Sequence, residues 1–211
     1  MTELVFILDR SGSMCGLEQD TIGGFNSMLQ KQKQQVGEVL VSTVLFNSYS
    51  QVIHDRVPLA EVQPMTEAEY HVGGTTALLD AIGGAIKHIG MVHKYARAED
   101  RPEKTLFIIT TDGMENASRK YTYEKVRQMI EQQKSKHGWE FLFLGANIDA
   151  AREAARFGID ADRAADYHCD EKGTALNYQV ISDVVAHVRA SRSMPADWKA
   201  RIDEDYRRRG K

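Results

Sequence analysis

The feature that most constrains this chain is a regular alternation between short apolar runs and longer amphipathic segments. The run 4–8 is continuous, rich in β-branched and aromatic residues, and much shorter than the roughly 20 residues that span a bilayer. Such runs are typical of strands that are buried on both faces, and the segments between them have the spacing of helices. The sequence therefore predicts an α/β fold with three layers and a doubly wound, mostly parallel central sheet.

The turn residues and the changes of apolar spacing along the chain predict six strands and six helices. Pro58 closes a less apolar strand that follows its neighbour after a brief polar turn, which indicates an antiparallel edge strand. In the first helix, the apolar stripe is expected to consist of Ile22, Phe25, Leu29 and Val36. The expected strands cover residues 4–9, 39–46, 49–59, 105–111, 140–144 and 164–168. The first helix is expected to carry this stripe, and the second is expected to be opened by the 73–76 loop. The other four helices are expected to begin near residues 123, 150, 174 and 196, and the fifth is expected to end at Ser191.

Charge and cysteine content exclude several classes of partner and compartment. The 211 residues include 27 Lys and Arg against 30 Asp and Glu, so a net charge of −3 gives no reason to expect nucleic acid or an anionic membrane as partner. Cys15 and Cys169 lie far apart and form no CxxC motif, which favours reduced thiols. With no secretory signal pattern at Met1, we expect a cytoplasmic protein.

Oxygen-bearing side chains cluster in three loops that follow strands or precede a helix. In a doubly wound sheet, the carboxyl ends of the parallel strands meet at one edge, so these loops are expected to converge. Two carboxylates with three or four hydroxyls make an all-oxygen set that hard divalent cations prefer. The alternate spacing in the first loop lets it aim three side chains at one point. The candidate metal ligands are Asp9, Ser11, Ser13, Thr75, Thr76 and Asp112.

In this order, Asp9-x-Ser11-x-Ser13, a Gly-Gly-Thr loop and a Thr-Asp-Gly turn resemble the metal-ion-dependent adhesion site (MIDAS) of von Willebrand factor type A (VWA) domains. That family includes integrin I domains and many intracellular bacterial proteins, and the resemblance covers residues 1 to about 190. It implies a Rossmann-like VWA fold over residues 1–192. The stretch 193–211 is then a helical, basic extension outside the domain.

The resemblance also implies a role for each ligand. Ser11 and Ser13 would bind the metal directly through their hydroxyls, and Asp9 and Asp112 would act through water. The family's threonine falls on Thr76 when it is counted back from the second helix, with Thr75 as the alternative. The expected ion is Mg²⁺, with Mn²⁺ or Ca²⁺ as alternatives.

The implied function is protein binding without catalysis, in which the cation accepts an Asp or Glu side chain from a partner protein. The alternative is a metal-dependent hydrolase, such as a phosphatase, that uses the same site with Asp112 as its only candidate base. Taken singly, each loop also has the composition of an ordinary turn or helix cap. EF-hand, Walker A and G-x-S-x-G patterns are absent from the sequence.

Several other polar residues have simpler interpretations. His88 and His93 are expected to be solvated on a helix face, and Cys15 is expected to be a semi-buried hydrophobe. Glu115 and Asn116 are expected in a solvated turn, the alternative being contact with a partner or a second ion. Asp80 is expected to cap a helix or form a surface pair. A basic tail, Arg207–Arg209 with Lys211, is expected to be frayed.

Overall fold

The computed structural model describes residues 1–190 and 193–210, which form one six-stranded sheet flanked by helices. The strands are Thr2–Asp9 (β1), Val39–Phe46 (β2), Ser50–Pro58 (β3), Lys104–Thr111 (β4), Glu140–Gly145 (β5) and Ala164–Asp166 (β6). The helices are Glu18–Lys33 (α1), Leu78–Tyr95 (α2), Tyr123–His137 (α3), Ala150–Arg156 (α4), Glu171–Ala190 (α5) and Ala200–Arg209 (α6). Within these two ranges, no helix combines the length and the apolarity that a bilayer crossing requires.

The sheet has the strand order β3-β2-β1-β4-β5-β6 and confirms the predicted architecture. Every neighbouring pair is parallel except β2 and β3, which makes β3 the antiparallel edge strand. From β1, the chain builds outward on one side through β2 and β3 and then on the other side from β4 to β6. The order therefore reverses between β1 and β4, where doubly wound sheets open a crevice at the carboxyl ends of their strands.

Side chains of β1 alternate between two apolar clusters, one on each face of the sheet. Leu4, Phe6 and Leu8 face the cluster formed with α1 and α5, whereas Val5 and Ile7 face the one formed with α2, α3 and α4. All five side chains are fully buried. The strand is thus covered on both sides, which confirms the predicted three layers.

The end of α1 differs from the prediction. The helix ends at Lys33, and Val36 is 95% exposed, so the assignment of Val36 to the apolar stripe was wrong. Arg189, which reaches over from α5, donates hydrogen bonds to carbonyl oxygens in the last turn of α1 and in the segment that follows it. Gly37, at a φ of +104°, then turns the chain toward β2. The acceptor carbonyls belong to Gln32, Gln35, Val36 and Gly37.

The two histidines of α2 behave differently. His88 is half exposed and lies 2.7 Å from Asp55, as expected of a solvated residue. His93 is not solvated, because it hydrogen-bonds the fully buried carboxylate of Glu3, which also lies 2.6 Å from the Nε of Arg56. A buried carboxylate requires such partners. The helical spacing of His93 gave no indication that Glu3 of β1 would lie beside it.

The C-terminal segment packs against the sheet edge. The indole Nε1 of Trp198 donates to the carbonyl oxygen of Asp162, and Ile202 is almost completely buried. α6 thus covers β6, whose outer edge would otherwise be open to pairing with another chain.

The described part of the basic tail, Arg207–Arg209, is held against the domain by ion pairs and is not frayed as predicted. Arg209 lies 2.6 Å from Asp170 and 2.8 Å from Asp205, so its charge has two carboxylate partners. Three features of the sequence prediction lie outside the described residues: the end of the fifth helix at Ser191, the domain boundary after residue 192, and Lys211.

Close packing of α1 against α5 provides a test of the fold. A Cβ atom on Gly24 would lie 2.3 Å from the Cδ2 of Tyr178, whereas one on Gly23 would meet no atom within 4 Å. We expect Gly24→Ala to lower the free energy of unfolding by about 1–3 kcal/mol through overpacking. Gly23→Ala should raise it by about 0.5–1 kcal/mol, because alanine is the better helix former. Urea denaturation measures both, and equal effects would contradict the α1–α5 packing.

Candidate metal centre

Asp9 ends β1 with a carboxylate that is only 2% exposed. Its Oδ1 accepts a hydrogen bond of 2.7 Å from the backbone N of Ser11, and its Oδ2 accepts one of 2.6 Å from the hydroxyl of Thr111. Burial raises the pKa of this carboxyl above its ordinary value, the two donors oppose the rise, and the charge of Asp112 adds to it. The carboxylate is therefore held in one orientation at the carboxyl end of β1.

The serine loop brings two hydroxyls beside the second carboxylate. Ser11 is buried and Ser13 is exposed, and their Oγ atoms lie 3.2 Å apart. The hydroxyl of Ser13 donates a hydrogen bond of 2.5 Å to the Oδ1 of Asp112, a contact between residues 99 positions apart in the chain. The predicted convergence of the first and third loops is therefore present.

The threonine loop joins the same cluster. The backbone N of Gly12 donates a hydrogen bond of 3.1 Å to the carbonyl oxygen of Gly74, which connects the serine loop to the glycine pair. Gly74 has a φ of +79°, and a Cβ atom there would lie 2.5 Å from the Oγ of Ser48, so this position in the threonine loop requires glycine.

The geometry distinguishes the two threonines. A Cβ atom on Gly113 would lie 3.7 Å from the Oγ of Ser13 and 3.9 Å from the Oγ1 of Thr76, so the two hydroxyls flank one point beside Asp112. The hydroxyl of Thr75 instead lies 2.9 Å from that of Ser48 and is not within 4 Å of this point. The arrangement favours Thr76 over Thr75, and the ligand set as a whole stays a prediction.

Asn116 is exposed and Glu115 is half-buried, as expected of a solvated turn, and both also bind backbone groups near the start of α2. The carboxylate of Glu115 accepts a hydrogen bond of 2.8 Å from the backbone N of Leu79 at the start of α2. Asn116 binds the backbone of Thr76 twice, through its side-chain oxygen and through its own N–H. Ala77 has no side chain that could cap α2. The unpaired N–H groups of the first turn of α2 therefore need an acceptor from another segment, which is the signal in the sequence for the role of Glu115.

Asp80 anchors the segment after this turn. Its two carboxylate oxygens accept hydrogen bonds of 2.8–3.0 Å from three successive backbone N–H groups, so it neither caps its own helix nor forms a surface ion pair. The first turn of α2 is thus joined to the loop after β4 from both directions. The donors are Arg119, Lys120 and Tyr121.

Two further contacts at the site were not predicted. The hydroxyl of Tyr70 donates a hydrogen bond of 2.5 Å to the carbonyl oxygen of Asp9. The thiol of Cys169 lies 3.6 Å from the Oδ2 of Asp112, and burial, together with that charge, raises the pKa of the thiol to about 12. Cys169 is therefore a protonated donor to Asp112. Cys15, expected to be semi-buried, is exposed.

The donor set fits a hard divalent cation. Within the described ranges, no group of three or more His, Cys, Asp or Glu side chains is placed to bind a metal, which argues against a soft or histidine-rich centre. An octahedron with Mg–O distances of about 2.0–2.1 Å has edges of roughly 2.9 Å. The Ser11–Ser13 oxygen separation of 3.2 Å is close to that value. The hydroxyls are neutral ligands, and the two carboxylates supply negative charge beside the ion.

Comparison with known proteins bears on the fold. No protein-family model and no curated protein sequence matches the chain. Among solved structures, a von Willebrand factor type A protein from Catenulispora acidiphila superposes with a TM-score of 0.59 at 15% identity, covering 87% of this chain and 42% of its own. The vWF domain of the type V pili tip protein Mfa5 from Porphyromonas gingivalis superposes with a TM-score of 0.63 at 11% identity, covering 88% and 95%.

A third similar structure is proximal thread matrix protein 1 from the mussel byssus, determined with a zinc-occupied MIDAS motif. It has a TM-score of 0.59 and 11% identity, and the alignment covers 87% of this chain and 45% of the mussel protein. This chain spans less than half the length of several of these proteins. The sheet order, the two helical layers and these superpositions agree, and the chain has the fold of von Willebrand factor type A domains.

Proposed function

We propose that this protein is a metal-dependent protein-binding module in which a divalent cation accepts a carboxylate from a partner protein. The observation that carries the proposal is the convergence of three loops, far apart in sequence, on one point at the carboxyl ends of β1 and β4. The proposed ion is Mg²⁺, with Mn²⁺ or Ca²⁺ as alternatives. The residues that would hold it are Asp9, Ser11, Ser13, Thr76 and Asp112.

The residues of this chain would have different roles at such a site, because some are buried and one is exposed. A bound dication supplies a coordination position at which a partner's carboxylate oxygen can replace a water molecule. Asp9 and Asp112 are each 2% exposed, so a partner cannot reach them directly. Ser13 is exposed and places its hydroxyl at the outer surface of the cluster. The hydroxyl ligands are neutral, which leaves positive charge on the ion for an anionic partner group.

Binding rather than catalysis is supported by the surroundings of Asp112. The hydrolase alternative needs this carboxylate as a general base, but it already accepts hydrogen bonds from Ser13 and Cys169. We also propose a cytoplasmic location, which the two free thiols of Cys15 and Cys169 support. The mussel protein with a zinc-occupied MIDAS motif supports a divalent ion at a similarly placed site.

Metal binding is tested by comparing the two neighbouring threonines. For the wild-type protein, Mg²⁺ at 100 times its dissociation constant should add about 2.7 kcal/mol of stability through linkage. Thr76→Ala should weaken Mg²⁺ affinity by about tenfold or more, since it removes a ligand oxygen. Thr75→Ala is the matched control and should leave the affinity unchanged. Thermal unfolding over a Mg²⁺ series measures all three proteins, and equal loss in both variants would refute the proposed ligand set.

Partner binding is tested separately from metal binding. We expect a pull-down from the native host to recover the partner in Mg²⁺ and to lose it in EDTA. Ser11→Ala should lose the partner in Mg²⁺ while its unfolding transition in EDTA stays close to that of the wild type. Equal recovery with and without chelator would refute the carboxylate-acceptor proposal even if Mg²⁺ binds.

The two buried carboxylates predict a trade-off between stability and function. Asp9 and Asp112 repel each other in the absence of a cation, and this repulsion contributes to the raised pKa of Asp9. Asp112→Asn removes one charge and keeps an oxygen that can accept from Ser13. We expect the variant to be more stable than the wild type in EDTA, by about 0.5–2 kcal/mol, and to show no stabilisation by Mg²⁺. Denaturation in EDTA and in Mg²⁺ measures both effects, and a less stable variant in EDTA would contradict the repulsion.

A further inference from the structure

A groove of about 540 Å³ lies between α2 and α3 at the end of the sheet opposite the candidate metal centre. Trp139, directly before β5, and Arg101, shortly before β4, are part of its wall, whereas the metal-centre loops follow the carboxyl ends of β1 and β4. The groove is therefore separate from the proposed metal site. Its main apolar and basic side chains are Met91, Met129, Trp139, Lys87, Lys94 and Arg101.

The groove is basic although the chain carries a net charge of −3. In the part of the chain that the structure describes, no Asp or Glu lines it. Lys87, Lys94 and Arg101 form no salt bridge with any described residue, while the nearby acids of the 97–103 segment are paired with Arg97 and the N-terminus. His93, which also lines the groove, is already bound to Glu3. Three unpaired cations therefore face a site that is free of carboxylates.

The spacing of the cations selects an extended ligand over a compact one. Lys87 and Lys94 lie seven residues apart on α2, which is two turns or roughly 10 Å along the helix axis. A single phosphate group is too small to contact both ammonium groups at that separation. Two acidic side chains seven positions apart on a second helix have the same spacing.

A partly apolar floor lies between the two lysines, where Met91 is exposed, Met129 is half-buried and Trp139 is only 4% exposed. Gly90 has no side chain there, and a Cβ atom on it would lie 3.3 Å from the Nε2 of Gln133 and 4.0 Å from the ring of Trp139. Met91, beside it, is 45% exposed. Methionines adapt their shape to different apolar partners, and grooves between helices commonly bind the apolar face of an amphipathic helix. Along α2, the groove therefore presents the cation of Lys87, then the apolar surface at Gly90 and Met91, and then the cation of Lys94.

We propose that this groove docks an acidic amphipathic helix of a partner protein. Acidic side chains seven positions apart pair with Lys87 and Lys94, and apolar side chains midway between them pack over Gly90 against Met91 and Met129. Arg101 adds a third cation at the end of the groove. This interaction does not depend on a metal ion.

The test uses a synthetic helical peptide with two glutamates seven positions apart and two leucines midway, titrated by fluorescence anisotropy into the full chain in EDTA. Lys87→Glu combined with Lys94→Glu should weaken its binding by about tenfold or more. The same double variant should gain affinity for a peptide in which both glutamates are lysines. Lys31→Glu with Lys125→Glu makes the same charge change on exposed positions of α1 and α3, and it should leave binding within about twofold of the wild type.

Gly90→Leu separates insertion into the groove from attraction to surface charge. The new side chain occupies the floor, so it should weaken both peptide complexes, and circular dichroism checks that the helix content is retained. No binding to the wild type, equal weakening by the control pair, or full affinity in Gly90→Leu would each overturn the proposal. Displacement of the peptide by an equal concentration of inorganic pyrophosphate would also overturn it, in favour of a compact-anion site.

Discussion

The buried carboxylate of Asp9 is the constraint on which the candidate site depends. A carboxylate in the interior is stable only when donors replace the water it has lost, and here the donors are the backbone of Ser11 and the hydroxyl of Thr111. The first contact shapes the loop that follows β1, and the second joins the end of β1 to the end of β4. Tyr70 holds the Asp9 carbonyl from a third segment. The loops are therefore positioned by the need to satisfy one charge.

Strand register then brings the second carboxylate to the same place. β1 and β4 pair in parallel with Leu8 opposite Thr110, so Asp9 ends one strand where Thr111 ends the other. Asp112 follows directly and meets the hydroxyl of Ser13. A shift of one residue in this register would turn Thr111 away from Asp9 and remove the donor. The proximity of two carboxylates is thus a consequence of the sheet, and their repulsion is a cost that a bound cation would remove.

Features that depend on local spacing could be predicted from the sequence. The strands were found from their apolar runs, and the three loops were found because Asp9, Thr76 and Asp112 sit where strands end or a helix begins. Counting back from the second helix favoured Thr76 over Thr75, but the direction of the two neighbouring side chains could not be read from the sequence. The geometry favours Thr76 because its hydroxyl lies toward Ser13.

Errors arose where a partner is distant in the chain. The spacing of Val36 continued the stripe of α1, but the helix ends at Lys33, and Arg189, more than 150 positions away, binds the carbonyls that follow it. The contact of His93 with Glu3, 90 positions away, was not predicted, because the expected first strand began at residue 4 and left Glu3 outside the core. Glu115 likewise gained its role only when the start of α2 came beside it. Helix ends and buried charges take whichever partner the fold supplies.

α2 physically connects the two proposed interaction sites. Its first turn is held by Glu115 and by the contact between Asn116 and Thr76 at the candidate metal centre, while Lys87 and Lys94 of its second half line the basic groove. An 18-residue helix is about 27 Å long, so the two sites have a nearly constant separation of that order. A partner that presents both an acidic helix and a separate carboxylate would bind the second site intramolecularly once the first was occupied. Its avidity would then depend on a linker that matches the length of α2, and a shorter linker would allow only one contact at a time.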